Sequence, residues 1–227
     1  MITLAGNIIK RIRTEGPAKT FRLMKARSRA LVCALMEDQR RGVSTSRIVK
    51  DQEPEIADPH CHYYAATDYE TFHLAMQHLE INPAKEVFVD FGSGKGRIVI
   101  LAAELPLRRV IGVEFSRHLH LAGLENLAVA RSQFKCADVE LIHADATQWE
   151  LPGDATLLFF FNPFDGAVLA KVCENIRRSI AESPRTVRII YVRPDKFFEK
   201  EIAWQEWLTK KVELACVEGK VAIYESK

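Results

Sequence analysis

The stretch Val89-Asp90-Phe91-Gly92-Ser93-Gly94-Lys95-Gly96-Arg97 places three alternating glycines directly after an apolar run that carries one acid. Working outward, "EVFVDF" (86–91) has the length and composition of a buried strand, and "GRIVILAAEL" (96–105) those of a helix. Strand, glycine turn and helix in that order begin a βαβ unit, and the alternation continues downstream. "RRVIGVEF" (108–115) reads as a second strand, and "SRHLHLAGLENLAVARSQF" (116–134) as a helix capped by Ser116. "VELIHAD" (139–145) and "ATLLFFFNPF" (155–164) supply a third and a fourth strand. A helix over "DGAVLAKVCENIRRSIAES" (165–183), capped by Asp165, leads to a fifth strand, "TVRIIYV" (186–192). Two alternating runs in "KKVELACVEGKVAIYES" (210–226) meet at Glu218-Gly219 and predict a hairpin. The expected fold class is α/β: a doubly wound, Rossmann-like, seven-stranded sheet that ends in an antiparallel hairpin, with an N-terminal helical extension.

That extension differs in character from the rest. Residues 1–50 hold twelve Lys/Arg against three Asp/Glu, a local net charge of +9, which leaves −7 on the remainder of a chain whose total is +2. Ile8, Ile9, Ile12, Phe21, Leu23, Met24, Leu31, Val32 and Leu35 recur at helical spacing, interrupted at Gly16-Pro17. "RGVSTSRIVKDQEPEIADP" (41–59) reads as a connecting loop and "DYETFHLAMQHLE" (68–80) as an amphipathic helix. The organisation is thus a basic helical extension and linker over 1–59 and an α/β domain over 60–227. Three readings of the basic arm stay open. Its apolar periodicity favours a helix packed over the domain's ligand pocket; the others are contact with a membrane surface or nucleic acid, and a partner-binding tail. Nucleic acid lacks support from aromatic interleaving or a known RNA module.

The five cysteines are odd in number and contain no CxxC pair, which excludes a disulfide framework or zinc ribbon and suits reduced thiols in the cytoplasm. His60-Cys61-His62 has no further ligand cluster nearby, so no metal is expected. No apolar run approaches the roughly 18–20 residues of a transmembrane helix. "MITLAGNII" precedes the first charge, the wrong order for a secretory signal; a mitochondrial presequence is the alternative to a cytoplasmic protein.

What the glycines hold decides the function. A phosphate-binding P-loop ending in Gly94-Lys95 would need glycine at 89 and a hydroxyl at 96, where the chain has Val89 and Gly96. A dinucleotide fingerprint would need its third glycine at 97, where Arg97 stands. Asp-x-Gly-x-Gly-x-Gly after a first strand, with Glu114 ending the second, resembles motif I of the class I S-adenosylmethionine-dependent methyltransferases. The resemblance spans roughly 60–227 and includes Asp145 in "HADAT" and Asn162-Pro163-Phe164, in the family's order and at strand ends. "RRGVSTS", "VDFGSGKGRIVILAA", "IGVEFS" and "FFFNPF" are further similar to bacterial methyltransferase-like proteins without assigned substrates. With "YAAT" (64–67) they also resemble, more distantly, small lysine methyltransferases related to the non-SET histone-lysine family.

The resemblance implies S-adenosyl-L-methionine as cofactor. It places Asp90, Gly92, Gly94 and Gly96 at the methionine part, Glu114 on the ribose hydroxyls, Asp145 on the adenine amino group, and Tyr64 and Thr67 in the segment that closes the pocket. Asn162, Pro163 and Phe164 are the implied substrate-positioning residues. This chain departs from the amine-methylating loop by having one proline where that loop has two. Each residue also has a plainer reading. Asp90, Asp145 and Asn162 are common turn formers, Phe164 ordinary core, Trp204 and Trp207 core or interface at i, i+3 spacing, and Lys95 and Arg97 solvated surface charges. Asp165 and His143 are weak candidates for a base. The expected activity is methyl transfer to an amine nitrogen, of protein lysine or a small molecule. Against it stand an O- or N-methyltransferase of small molecules, an inactive cofactor-binding scaffold, and an NAD-linked oxidoreductase.

Overall fold

Every residue of β1 (Val87–Phe91) is buried, as a central strand covered on both faces requires. The computed structural model describes residues 12–14, 16–46, 65–164, 166–194, 198 and 207–227. In it β1 pairs in parallel with β2 (Arg109–Glu114) on one side and with β4 (Leu157–Phe161) on the other. β3 (Val139–His143) extends the sheet beyond β2, and β5 (Arg188–Val192) beyond β4. β7 (Gly219–Ser226) runs antiparallel between β5 and β6 (Leu208–Cys216), giving seven strands in the order β3-β2-β1-β4-β5-β7-β6. The expected doubly wound sheet with its terminal hairpin is therefore present. Strand order reverses between β1 and β4, and such switch points open a crevice at the carboxyl ends of the strands.

The three consecutive phenylalanines of β4 show how period-two geometry sorts side chains. Phe159 packs with Phe72 and Phe88 in one core, while Phe160 joins Phe91 and Tyr191 in the core on the opposite face. Because Phe91, Phe160 and Tyr191 occupy paired register positions, their rings stack side by side, with centroids 4.8 Å and 5.4 Å apart. That row fixes the strand ends from which the site residues project.

Helices α3 (Arg97–Ala103), α4 (Arg117–Ala130) and α5 (Gly166–Glu182) form the crossovers. Ser116 caps α4 as predicted, its Oγ accepting the Leu119 N–H. α2 (Tyr69–Gln77) precedes β1. α1 (Pro17–Arg41) begins with Pro17 after Gly16 and stops at Gly42, which takes the left-handed φ of 72° that a helix C-terminus favours. Contrary to the packed-helix expectation, α1 does not line the central cavity, and Phe21, Leu31, Val32, Leu35 and Met36 are exposed. The reason is that α1 turns a narrow face to the domain, apolar only at Ala34 and otherwise polar. Asp38 and Arg41 are buried there, as are Val43 and Thr45 in the stretch read as loop.

Candidate functional site

A cavity of about 250 Å³ opens at the switch point. The glycine loop forms its floor. Gly92 and Ser93 both donate their N–H groups to the Val113 carbonyl, at 2.9 and 3.0 Å, which folds the loop back over the end of β2. Gly92, Gly94 and Gly96 have φ of 74°, 54° and 81°, the left-handed region that side chains resist. At Gly92 space is limiting as well, since a Cβ there would meet the Pro163 Cβ at 2.6 Å. The glycine loop and the Asn-Pro-Phe segment thus touch directly. Gly112 in β2 serves the same closeness from below, because a Cβ on it would lie 2.9 Å from that of Ser93. Ser93 Oγ is buried without a hydrogen-bond partner at the cavity wall.

Two carboxyl groups face this floor. Glu114 accepts the Gly94 N–H through one oxygen, at 2.7 Å, and the Ser116 N–H through the other, at 2.8 Å. Burial pushes its carboxyl above the usual range, and those backbone donors only partly offset the effect. Asp90, at the end of β1, is only 3 % exposed, and burial followed by repulsion from Glu114 drives its carboxyl well above the ordinary value. A wall that holds two buried acids favours a ligand with positive charge.

Thr67, Asp145, Asn162, Pro163 and Phe164 line the same cavity, together with Asp90, Gly92, Gly94 and Glu114. Gly96 stands just behind it as the N-cap residue of α3. Asp145 keeps its turn-forming role too: one oxygen accepts the N–H and hydroxyl of Thr147, and the other the Gln148 amide. Asn162 has a φ of 41°, and its Oδ1 lies 3.5 Å from the Tyr191 hydroxyl. Phe164 is buried edge-on to Phe160. Tyr64, Asp165, Trp204 and the His60-Cys61-His62 stretch lie outside the described residues. His143 does not reach the cavity; its Nε2 sits 2.9 Å from the Phe115 carbonyl oxygen on the outer side of β3.

Lys95 and Arg97 are buried rather than solvated, at 6 % and 4 % exposure. The Arg97 guanidinium donates to Thr45 Oγ1 at 2.8 Å, to the Thr67 carbonyl at 2.9 Å and to Ser46 Oγ at 2.6 Å, and it pairs with Asp38 at 3.4 Å. It also lies over the Tyr69 ring, 4.5 Å from the centroid. Asp38 accepts from Thr45, Ser46 and the Tyr69 hydroxyl. Burial works to raise its carboxyl, but the Thr45 and Tyr69 hydrogen bonds and the Arg97 charge outweigh it and hold Asp38 below the usual range. Asn126 completes the fastening by accepting the Ser44 N–H and donating to the Lys95 carbonyl. The "RRGVSTS" stretch is therefore a strap across the outside of the glycine loop. One signal for it was readable: a cation at the first turn of a helix opposes the helix dipole, so Arg97 needs a local anion.

Sequence reading also missed a second opening, which shares Asn162 with the first and is otherwise lined by Arg193, Pro194, Glu218, Gly219 and Lys220. Glu218 accepts the Asp68 N–H at 2.7 Å through one oxygen, and its other oxygen is buried without a partner. Burial, and then the Asp68 carboxyl beside it, push Glu218 up to about 7 despite the Asp68 N–H.

No protein-family model matches the chain, and no curated protein matches it in sequence. Solved structures match its fold. An RNA methyltransferase from Salinibacter ruber in complex with S-adenosyl-L-homocysteine is 20 % identical with a TM-score of 0.51, over 71 % of this chain and 92 % of that one. Precorrin-6y C5,15-methyltransferase from Geobacter metallireducens is 17 % identical with a TM-score of 0.53, over 78 % and 100 %. The Escherichia coli protein yhhF is 12 % identical with a TM-score of 0.57, over 76 % and 90 %. At these identities the likeness is one of fold.

Proposed function

We propose that this chain is an S-adenosyl-L-methionine-dependent methyltransferase. The observation that carries the reading is the pair of buried carboxyls, Asp90 and Glu114, that line the cavity beside a positive-φ glycine loop. Such a floor suits a cofactor whose net charge is positive, an ammonium and a sulfonium against one carboxylate, because a nearby cation favours the ionised form of each acid. The described residues fit that group. Asp90 and the loop backbone would face the methionine part, Glu114 has lone pairs left for ribose hydroxyls after its two N–H contacts, and Ser93 Oγ lacks a partner. Thr67 and Asp145 would border the remainder of the cofactor. That the Salinibacter neighbour was crystallised with S-adenosyl-L-homocysteine supports the same choice.

When bound, the sulfonium supplies an electrophilic methyl group, so the protein's task is to orient a nucleophile and exclude water. Asn162 Oδ1 and the Pro163 carbonyl, on two residues that line the cavity, would accept N–H bonds from an amine and orient its lone pair. Glu218, at the opening that shares Asn162, can take the proton an ammonium must lose, and its pKa of about 7 suits that role. These features favour an amine acceptor, protein lysine or a small molecule. Methyl-labelled cofactor incubated with host lysate, then fractionated into protein, RNA and small molecules, tests the proposal. Label in amine nitrogen supports it, and label confined to RNA bases or hydroxyl oxygens overturns the amine assignment.

A further inference from the structure

Helix α1 carries a surface that the methyl-transfer reading does not use. Phe21, Met24, Leu31, Val32, Leu35 and Met36 are each between 45 % and 68 % exposed. At ~100° per residue these six positions fall within an arc of roughly 140°, an apolar stripe along the helix interrupted by Ser28. Arg22, Arg29 and Arg40 line one border of the stripe, and Lys25 projects within it; all four are exposed. Thr20, Ala34 and Asp38, which are buried, line the other border. No Asp or Glu occurs from Gly16 to Met36.

We propose that α1 is an interfacial helix that seats this protein on a bilayer containing anionic lipid, apolar stripe inward and basic row at the headgroups. Scattered exposed apolar side chains need no explanation, but a row of six on one helix face does. A basic border beside a broad apolar stripe is the distribution that interfacial helices use. Charge decides between occupants. A second copy of the chain packed on this face would bring two basic rows together without an acid on either to balance them. An anionic bilayer provides both the apolar phase and the counter-charge. Among the described residues no helix is long and apolar enough to cross a membrane, so the seating is on the surface. The far end of the helix is fastened to Arg97 in the cavity wall through Asp38, so the bilayer would hold the site near the membrane plane. This inference is independent of the reaction the site performs.

The experiment is flotation of the full chain with vesicles of phosphatidylcholine alone and of phosphatidylcholine with about 30 % phosphatidylglycerol, at ~0.1 M salt. Binding should be at least about tenfold stronger on the anionic vesicles and weaken as salt is raised. The double variant Leu31→Glu/Leu35→Glu should lose at least about tenfold of it while its thermal melt and S-adenosyl-L-homocysteine affinity stay unchanged. Equal binding to both vesicles, or no loss in the double variant, overturns the proposal. So does a wild-type dimer in light scattering that the double variant abolishes, which would assign the face to a second copy. A shift of a generic duplex without vesicle binding overturns it in favour of nucleic acid.

Discussion

Arg97 illustrates how far one side chain can serve two parts of a molecule. It holds the segment at Thr67 by a carbonyl, the strap by two hydroxyls and α1 by the Asp38 carboxylate. Asp38→Ala should therefore cost about 3 kcal/mol or more, because it leaves a buried guanidinium without its counter-ion. Urea unfolding checks this. The pH dependence has a definite sign. Asp38 is depressed in the folded state, so its contribution is present above the unfolded carboxyl pKa of about 4 and is lost as pH falls through the folded value. Stability curves of wild type and Asp38→Ala should converge in acid; a constant gap down to strongly acidic pH would assign the loss to packing alone. Glu218 makes the opposite kind of prediction. With its carboxyl near 7, methyl transfer to the labelled lysate acceptor should rise with pH through neutrality, as the carboxylate forms. Glu218→Gln, which keeps an oxygen for the Asp68 N–H, should flatten that rise; an unaltered profile would leave Glu218 a merely structural tie.

The glycine loop and the strands around it were the most legible elements, and the strap the least. Period-two apolar runs and glycine punctuation fix β1 to β5 and the terminal hairpin, because burial on both faces leaves little freedom in which residues compose them. Asp90, Gly92, Gly94, Glu114 and Asn162 were readable as candidates because the chemistry and its spacing lie within a few residues of strand ends. The strap was not, since Thr45 and Ser46 look like any polar loop until Arg97, some fifty residues on, folds against them. The second opening was hidden for the same reason: Asn162 and Glu218 meet only once β7 inserts beside β5. α1 misled in a different way, because helical periodicity reports an apolar face without saying what covers it. The closeness of loop and Asn-Pro-Phe segment gives a direct test. Gly92→Ala introduces a methyl against Pro163 at a φ of 74°, and should destabilise the fold by roughly 1–3 kcal/mol and weaken cofactor binding. A melt and affinity equal to wild type would mean that the two segments separate freely.

Taken as one molecule, the protein joins a basic, partly unpartnered helix to an acidic α/β body through a polar strap that abuts the site. The two raised carboxyls at that site bear on the stability of the whole. Because Asp90 and Glu114 hold protons more tightly when folded, the stability they contribute is present in acid and lost as pH rises through their folded values. A cationic ligand should restore it, binding more tightly as pH rises and releasing protons as it does. Calorimetry of S-adenosyl-L-methionine and S-adenosyl-L-homocysteine against the folded chain, with Glu114→Ala beside it, tests the central claim most directly. The account predicts binding of both ligands at a single site, with affinity reduced at least about tenfold in Glu114→Ala, which loses its hydroxyl and N–H acceptor. A folded sample that binds neither ligand, or binds NADH in their place, would contradict it.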